Sequence, residues 1–341
     1  MKNNLVKKLE NFWKLKLNLI HWVKKPKKII DKKSFYSDGV LNATYNCLQK
    51  NINEGLGNKI AIVYVDKNGL FQELTYCELE NLVDHFINYL LNNFTKKELL
   101  SNIIAIHSSA NIISSISMLA CAKLGITHCV LFEDLSKEAI QIRLKLLKSK
   151  IIITAVDIET YDLKIKTQKK IKKITFFKKS NKSKHKFNIN IKKFFLKKNL
   201  NPFKYQYAKV LSNKPFFVLF TSGTTGVPKG IIHSTGGYLV YTKYTCINQF
   251  GMNKNTVMLT ASDAGWMNGH TYALYGPLLM GAKTVLVEKP MSLINETLFK
   301  KILLNKKVSI LYLPVTLIRL MRSLDKKISI KSKYIKTLGS M

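Results

Sequence analysis

From residue 59 onwards, short apolar runs alternate with longer segments in which apolar residues return every three or four positions. Residues 59–65 (KIAIVYV) form a β-rich run. Thr75-Tyr-Cys-Glu78 has the spacing of a capping box, in which the threonine hydroxyl and the glutamate carboxylate each satisfy an open backbone N–H at a helix start. Behind it, Leu79, Leu82, Val83, Phe86, Ile87 and Leu90 share one helical stripe. A second strand is predicted at 103–106, then a helix of small and apolar residues closed by Gly125, which can adopt the left-handed conformation of a C-cap. A third strand at 129–132, a third helix at 136–148 and a fourth strand at 151–154 follow. The rhythm resumes with strands at 216–220, 257–260, 284–287, 308–313 and 335–338. This alternation predicts an α/β protein with right-handed crossovers and mostly parallel sheets flanked by helices.

The division that follows has residues 1–58 capping the domain, 59–160 forming a first α/β sheet region, 161–214 a lysine-rich connection and 215–341 a second α/β region. The first 28 residues, MKNNLVKKLENFWKLKLNLIHWVKKPKK, are basic and partly amphipathic. They lack the continuous apolar core and small-residue cleavage site of a secretory signal. A terminal helix docked on the body is expected, with a membrane-surface helix as the alternative. Residues 103–122 contain no Asp, Glu, Lys or Arg, yet His107, Asn111 and several serines mark strand, loop and helix rather than a membrane span. Residues 161–200 hold fifteen lysines against one acid, Asp162, and predict a loose, solvated connection. Their interleaved Phe176, Phe177, Phe187, Phe194 and Phe195 would alternatively serve a nucleic-acid backbone or an anionic membrane. No other nucleic-acid signature accompanies them, so no nucleic-acid partner is assigned.

Composition changes this picture in two respects. The 341 residues are 46% hydrophobic, ordinary for a globular chain, but the formal net charge is +36. Of the 56 basic residues only Arg143, Arg319 and Arg322 are arginine. Nucleic-acid readers lean on arginine for bidentate contacts, so the charge reads as a solvated lysine coat. Five cysteines (Cys47, Cys77, Cys121, Cys129, Cys246) show no CxxC spacing, and the odd count fits reduced thiols in a cytoplasmic setting.

The chemistry concentrates at 220–237, FTSGTTGVPKGIIHSTGG, directly after an apolar run. A loop that follows a parallel strand stands at the carboxyl edge of the sheet, where α/β folds bind ligands. Gly223, Gly226 and Gly230 permit positive φ and close backbone approach. Thr221, Ser222, Thr224 and Thr225 bring hydroxyls, and Lys229 a positive charge. These are the components of a polyphosphate cradle. It is not a Walker A loop: Pro228 precedes the lysine and Gly230 follows it, where that motif has Gly and Ser or Thr.

TSGTTGVPKG resembles the phosphate loop of the adenylate-forming superfamily. The continuation His233-Ser-Thr-Gly-Gly-Tyr238, then 262–270 (SDAGWMNGH), Tyr275-Gly-Pro-Leu278 and Gly281-Ala282, is similar to the AMP-forming acetyl-CoA synthetases. So are residues 38–48 and 119–132. The resemblance implies the N-terminal domain of an acyl-CoA synthetase that uses ATP, Mg2+ and coenzyme A. Such an enzyme joins a small carboxylate to AMP with loss of pyrophosphate, then transfers the acyl group to CoA. It implies that Thr221, Ser222, Gly223, Thr224, Thr225, Gly226 and Lys229 hold the β- and γ-phosphates. Trp266, Met267, Asn268 and Met341 would line the acyl pocket and CoA tunnel. Acetyl-specific members usually place Val, Thr and Val where this chain has Met267, Asn268 and Met341, which opens the choice of acid to propionate or a polar short acid. The arginine pair used there for the CoA nucleotide has no counterpart in residues 155–170, where lysines would act as point charges. The catalytic lysine, the adenine-binding turn and the magnesium-binding acid of the family fall beyond Met341. No catalytic side chain or metal ligand is therefore assigned within the chain, and a separately encoded C-terminal part becomes a candidate partner. His233 and His270 are read as structural.

Overall fold

The computed structural model describes residues 2–31, 34–154, 171–177, 187–200, 203–221, 226–323 and 332–340. Two large sheets organise them. The first runs, edge to edge, Phe187–Asn190, Lys172–Phe177, Ile151–Thr154, Ile104–His107, His128–Leu131, Pro215–Thr221 and Lys229–Ser234. All neighbours are parallel except the last pair, an antiparallel hairpin. The second runs Thr337–Ser340, Ile310–Leu313, Val257–Thr260, Lys283–Val287, Ile60–Val65 and Phe71–Thr75, again parallel up to an antiparallel edge pair. The predicted α/β class with mostly parallel, helix-flanked sheets is what forms. Sheet membership interleaves along the chain: Ile60–Val65 joins the second sheet, while Ile104–His107 and Pro215–Thr221 belong to the first.

Side-chain alternation explains the layering. Ile104 and Ile106 point into the principal core while Ala105 joins a smaller cluster on the opposite face. Ile151 and Ile153 divide from Ile152 in the same way. From the second sheet, Ala61 and Ile62 enter the principal core, and Val63 and Val65 face a cluster shared with Phe299, Ile302 and Leu303 of the helix Glu296–Asn305. The principal core therefore lies between the two sheets, filled by the helices Tyr76–Asn93 and Ile112–Leu124.

The local signals behave as their chemistry demands. Thr75 Oγ1 accepts from the Glu78 N–H at 3.1 Å, and Glu78 Oε2 accepts from the Thr75 N–H at 2.8 Å. Gly125 closes its helix with φ 70°. The segment 103–122 is a strand, a loop and a helix capped by Asn111, with Ser114, Ser115 and Ser117 buried. No helix among the described residues is long and apolar enough to cross a membrane.

The lysine-rich stretch departs from expectation where it is described. Instead of a loose, solvated connection, Lys172–Phe177 and Phe187–Asn190 extend the first sheet. Ile174, Phe176, Ile189 and Phe194 sink into the principal core, with Phe176 and Phe194 5.5 Å apart and Phe86 5.5 Å from Phe176. Ile174 and Phe176, and likewise Phe187 and Ile189, alternate with the polar Thr175 and Asn188, and that alternation is enough to order a strand within a lysine-rich stretch. Rings spent in this way are not available to stack on bases. Residues 155–170 and 178–186 lie outside the described residues.

The N-terminal segment forms a helix, Lys2–Leu15. Its last turn is docked: Trp13 lies 5.6 Å from Tyr244 and 5.9 Å from Phe35, and Tyr36 Oη donates to the Trp13 carbonyl at 2.9 Å.

Candidate functional site

The hairpin Pro215–Thr221/Lys229–Ser234 starts in the core and ends in solvent. Phe216 to Leu219 are buried, whereas Thr221 and Lys229 at the tip are exposed. Its first strand is parallel to His128–Leu131, so the tip stands at the sheet's carboxyl edge. Thr221 pairs with Lys229, and Thr221 Oγ1 donates to the Lys229 carbonyl at 3.5 Å. Gly226 takes φ 77°, and a Cβ there would meet nothing within 4 Å, so conformation rather than crowding calls for glycine. Gly230 instead has its reason in space: a Cβ would lie 3.1 Å from Val218. Ser222, Gly223, Thr224 and Thr225 lie outside the described residues.

A second loop rises from the other sheet. After the strand Val257–Thr260 the chain turns at Asp263, whose Oδ1 accepts from the Gly265 N–H at 2.7 Å and whose carbonyl accepts from the Trp266 N–H at 3.1 Å. A short helix, Met267–His270, follows. Gly269 lets it lie against the turn, since a Cβ there would stand 2.0 Å from the Asp263 carbonyl oxygen. Gly265 lies against Phe132, where a Cβ would approach the ring to 2.7 Å. Trp266 is 60% exposed and rests on the same ring, centroids 5.3 Å apart. Met267 is half-buried against the principal core and Asn268 is half-buried beside it.

Phe132 leaves the carboxyl end of a first-sheet strand and Trp266 follows that of a second-sheet strand, so the carboxyl edges of the two sheets meet at this contact. A second contact joins the loop to the hairpin. The Phe217 ring lies between His233, at 4.7 Å, and His270, at 4.5 Å. His270 is fully buried, its Nδ1 is 3.3 Å from the Trp266 carbonyl, and burial drives its pKa down to about 3. Both histidines serve as packing rings here, as the sequence reading has them. Thr221, Gly226 and Lys229 are thus gathered at one tip, and Trp266, Met267 and Asn268 on a loop packed beneath its base. Met341 lies outside the described residues; the strand before it, Thr337–Ser340, ends at the carboxyl edge of the second sheet.

Sequence reasoning missed the acids at this junction. Glu133, Asp263 and Glu288 each follow the carboxyl end of a strand, with Asp134 next to the first. Burial raises the Asp263 pKa to about 6; the Gly265 N–H opposes the rise and the charges of Glu133 and Asp134 add to it. Burial also pushes Glu133 upward, Ser109 restrains it and Glu288 raises it further. Their shared position just past strand ends, in a chain with only 20 acids, was a usable signal. Among the described residues no group of three or more His, Cys, Asp or Glu side chains is arranged to hold a metal ion.

Comparison with known proteins places this geometry in a family. The model of the family described as AMP-binding enzyme matches residues 48–341. The chain is 31% identical over 329 residues to the acetyl-coenzyme A synthetase of Cupriavidus necator, covering 91% of this chain and 49% of that protein. It is 32% identical over 332 residues to the chloroplastic/glyoxysomal acetyl-coenzyme A synthetase of Arabidopsis thaliana, covering 90% and 44%. The crystal structure of an acyl-CoA synthetase from Brucella canis shares the fold, with a TM-score of 0.77 at 18% identity over 96% of this chain and 55% of that one. The chain spans about half the length of the curated relatives it matches. The family match from residue 48 to residue 341, with 31% identity to an acetyl-coenzyme A synthetase over 91% of the chain, establishes that this chain belongs to the AMP-binding enzymes, the adenylate-forming acyl-CoA synthetases.

Proposed function

We propose that this chain supplies the ATP-phosphate and acyl-pocket portion of an AMP-forming short-chain acyl-CoA synthetase of the acetate–CoA ligase type. In the first step a carboxylate oxygen of the substrate attacks the α-phosphorus of ATP, giving acyl-AMP and pyrophosphate. In the second, the thiolate of CoA attacks the acyl carbon and AMP leaves. The observation that carries this reading is the hairpin tip, which pairs Thr221 with Lys229 beside a left-handed Gly226 at the carboxyl edge. Charge grows on the departing pyrophosphate as the P–O bond breaks. Donors at that place, the Thr221 hydroxyl and the Lys229 ammonium, lower the barrier more than they tighten substrate binding. The remaining steps call on groups outside the half of the synthetase that this chain spans.

Trp266, Met267, Asn268 and Met341 are assigned to the acyl pocket and CoA tunnel. Met267 is longer than valine and half committed to core packing, and Asn268 brings an amide in place of the threonine of acetyl-specific members, so the reading extends to a small acid other than acetate, such as propionate or a polar short acid. A cytoplasmic setting fits the five free thiols, four of them buried. The competing reading is a chain that no longer turns over.

Pyrophosphate exchange into ATP, measured on this chain joined to the C-terminal half of an acetyl-CoA synthetase, separates the two. The reading expects carboxylate-dependent exchange, lowered about a hundredfold in Lys229→Ala and in Thr221→Ala, with melting temperatures within a few degrees of the unmutated protein. Exchange at the unmutated rate in both variants removes the role given to the hairpin. No exchange in any completed protein favours the inactive reading.

A further inference from the structure

We propose that the N-terminal helix Lys2–Leu15 is a docking element for an anionic phospholipid surface. At the helical turn of 3.6 residues, Leu5, Val6, Leu9, Phe12 and Trp13 fall on one stripe about a third of the circumference wide. Only the last turn of that stripe finds protein. Phe12 lies 5.5 Å and Trp13 5.6 Å from Tyr244, while Leu5 (61%), Val6 (50%) and Leu9 (45%) remain exposed. Leu5, Val6 and Leu9 join none of the apolar clusters among the described residues. The helix is thus fixed at its C-terminal end and holds an uncovered leucine stripe away from the body.

Charge selects the occupant. Lys7 and Lys14 lie on the face opposite the stripe, Lys8 borders it, Lys16 follows the helix with its ammonium 4.9 Å from the centre of the Phe12 ring, and Glu10 is the one acid of residues 2–15. A second copy would place these lysines against another chain of net charge +36, so self-pairing of the stripe is opposed electrostatically. An anionic bilayer suits this arrangement: acyl chains receive the leucines, lipid phosphates meet Lys8 at the stripe's edge, and the negative surface attracts the remaining lysines across a screening length. The helix lies apart from the hairpin and loop assigned to ATP and the acyl group, and its docking is independent of that assignment.

Cosedimentation of the full chain with vesicles tests this. Binding is expected to vesicles containing about 30 mol% phosphatidylglycerol and not to pure phosphatidylcholine. General attraction of a basic protein would also favour anionic lipid, so the deciding variant keeps every charge. Leu5→Ser/Leu9→Ser should bind the anionic vesicles about tenfold more weakly, or less, with an unchanged melting temperature. Equal binding by the variant and the unmutated chain overturns the proposal, as does equal binding to neutral vesicles. Self-association in sedimentation equilibrium that this variant abolishes assigns the stripe to a second copy, and overturns it too.

Discussion

His270 enters the fold as a neutral ring, and that sets a direction for stability against pH. Its folded pKa of about 3 lies below the ordinary value near 6.5, so the unfolded chain binds the proton first as pH falls. Its contribution is complete above pH 6.5 and is lost as pH falls towards 3. At pH 5 the loss amounts to about 2 kcal/mol. Asp263 and Asp84, raised to about 6, act in the opposite sense: their contribution is complete below their unfolded value and is lost as pH rises through about 6. His270→Leu should therefore show a smaller drop in urea midpoint between pH 7 and pH 5 than the unmutated chain; an equal drop would place the titrating group elsewhere. At this scale the sequence was partly legible. Thr221 and Lys229 announced themselves through the density of hydroxyls, glycines and charge around them. His270 was read as structural, but its complete burial was not legible, because a single histidine beside glycines reads alike in solvent and in a core; Asp263 was signalled only by its place just past a strand end. What buries His270 is Phe217, 53 positions away along the chain.

Elements were legible wherever local pattern and tertiary demand agree. The capping box at Thr75, the glycine closing at Gly125 and the strand Ile151–Thr154 stand where periodicity put them. The strands Lys172–Phe177 and Phe187–Asn190 were not legible, since short apolar runs set among so many lysines resemble a solvated linker until a neighbouring strand supplies the pairing. Partnering was not legible either, because nothing local tells Ile60–Val65 to pair with Lys283–Val287. Two contacts between elements give sharp expectations. Gly269→Ala drives a Cβ into the backbone carbonyl oxygen of Asp263, which cannot swing aside as a side chain can. It should cost about 2–4 kcal/mol in urea unfolding, and a smaller loss would mean that the turn can slide. Lys123, on the helix Ile112–Leu124, is buried between Glu80 and Asp84 of the helix Tyr76–Asn93, with Asp84 at 2.6 Å and Tyr207 Oη donating to Glu80 at 2.5 Å. Lys123→Met leaves two carboxylates without their cation and should cost about 3–5 kcal/mol. Adding Glu80→Leu and Asp84→Leu should restore most of it, because a matched apolar trio carries no desolvation penalty.

For the whole molecule the governing quantity is the +36 net charge, carried by 56 basic residues against 20 acids. A compact body of that charge repels itself, and the acids at the carboxyl edges and the ion pairs on the surface offset only part of it. Raising ionic strength from about 10 mM to about 100 mM shortens the screening length from about 30 Å to about 10 Å, so the urea midpoint should rise with sodium chloride. A midpoint that falls instead would mean that attractive pairs outweigh the repulsion. The same charge complicates any nucleotide experiment, since ATP is itself a multivalent anion that stabilises a basic body wherever it lands. The two effects separate by shape and by variant. Screening continues to grow with salt and is insensitive to one lysine among 53. Occupation of a site on the folded state adds RT ln(1 + [ATP]/Kd), about 2.7 kcal/mol at a hundredfold excess over Kd. Measured in 300 mM salt, where generic attraction is weakened, the rise in melting temperature with ATP should be reduced in Lys229→Ala, while the response of that variant to salt alone should match the unmutated chain. An ATP shift that survives intact in the variant would assign the nucleotide to the lysine coat and not to the hairpin.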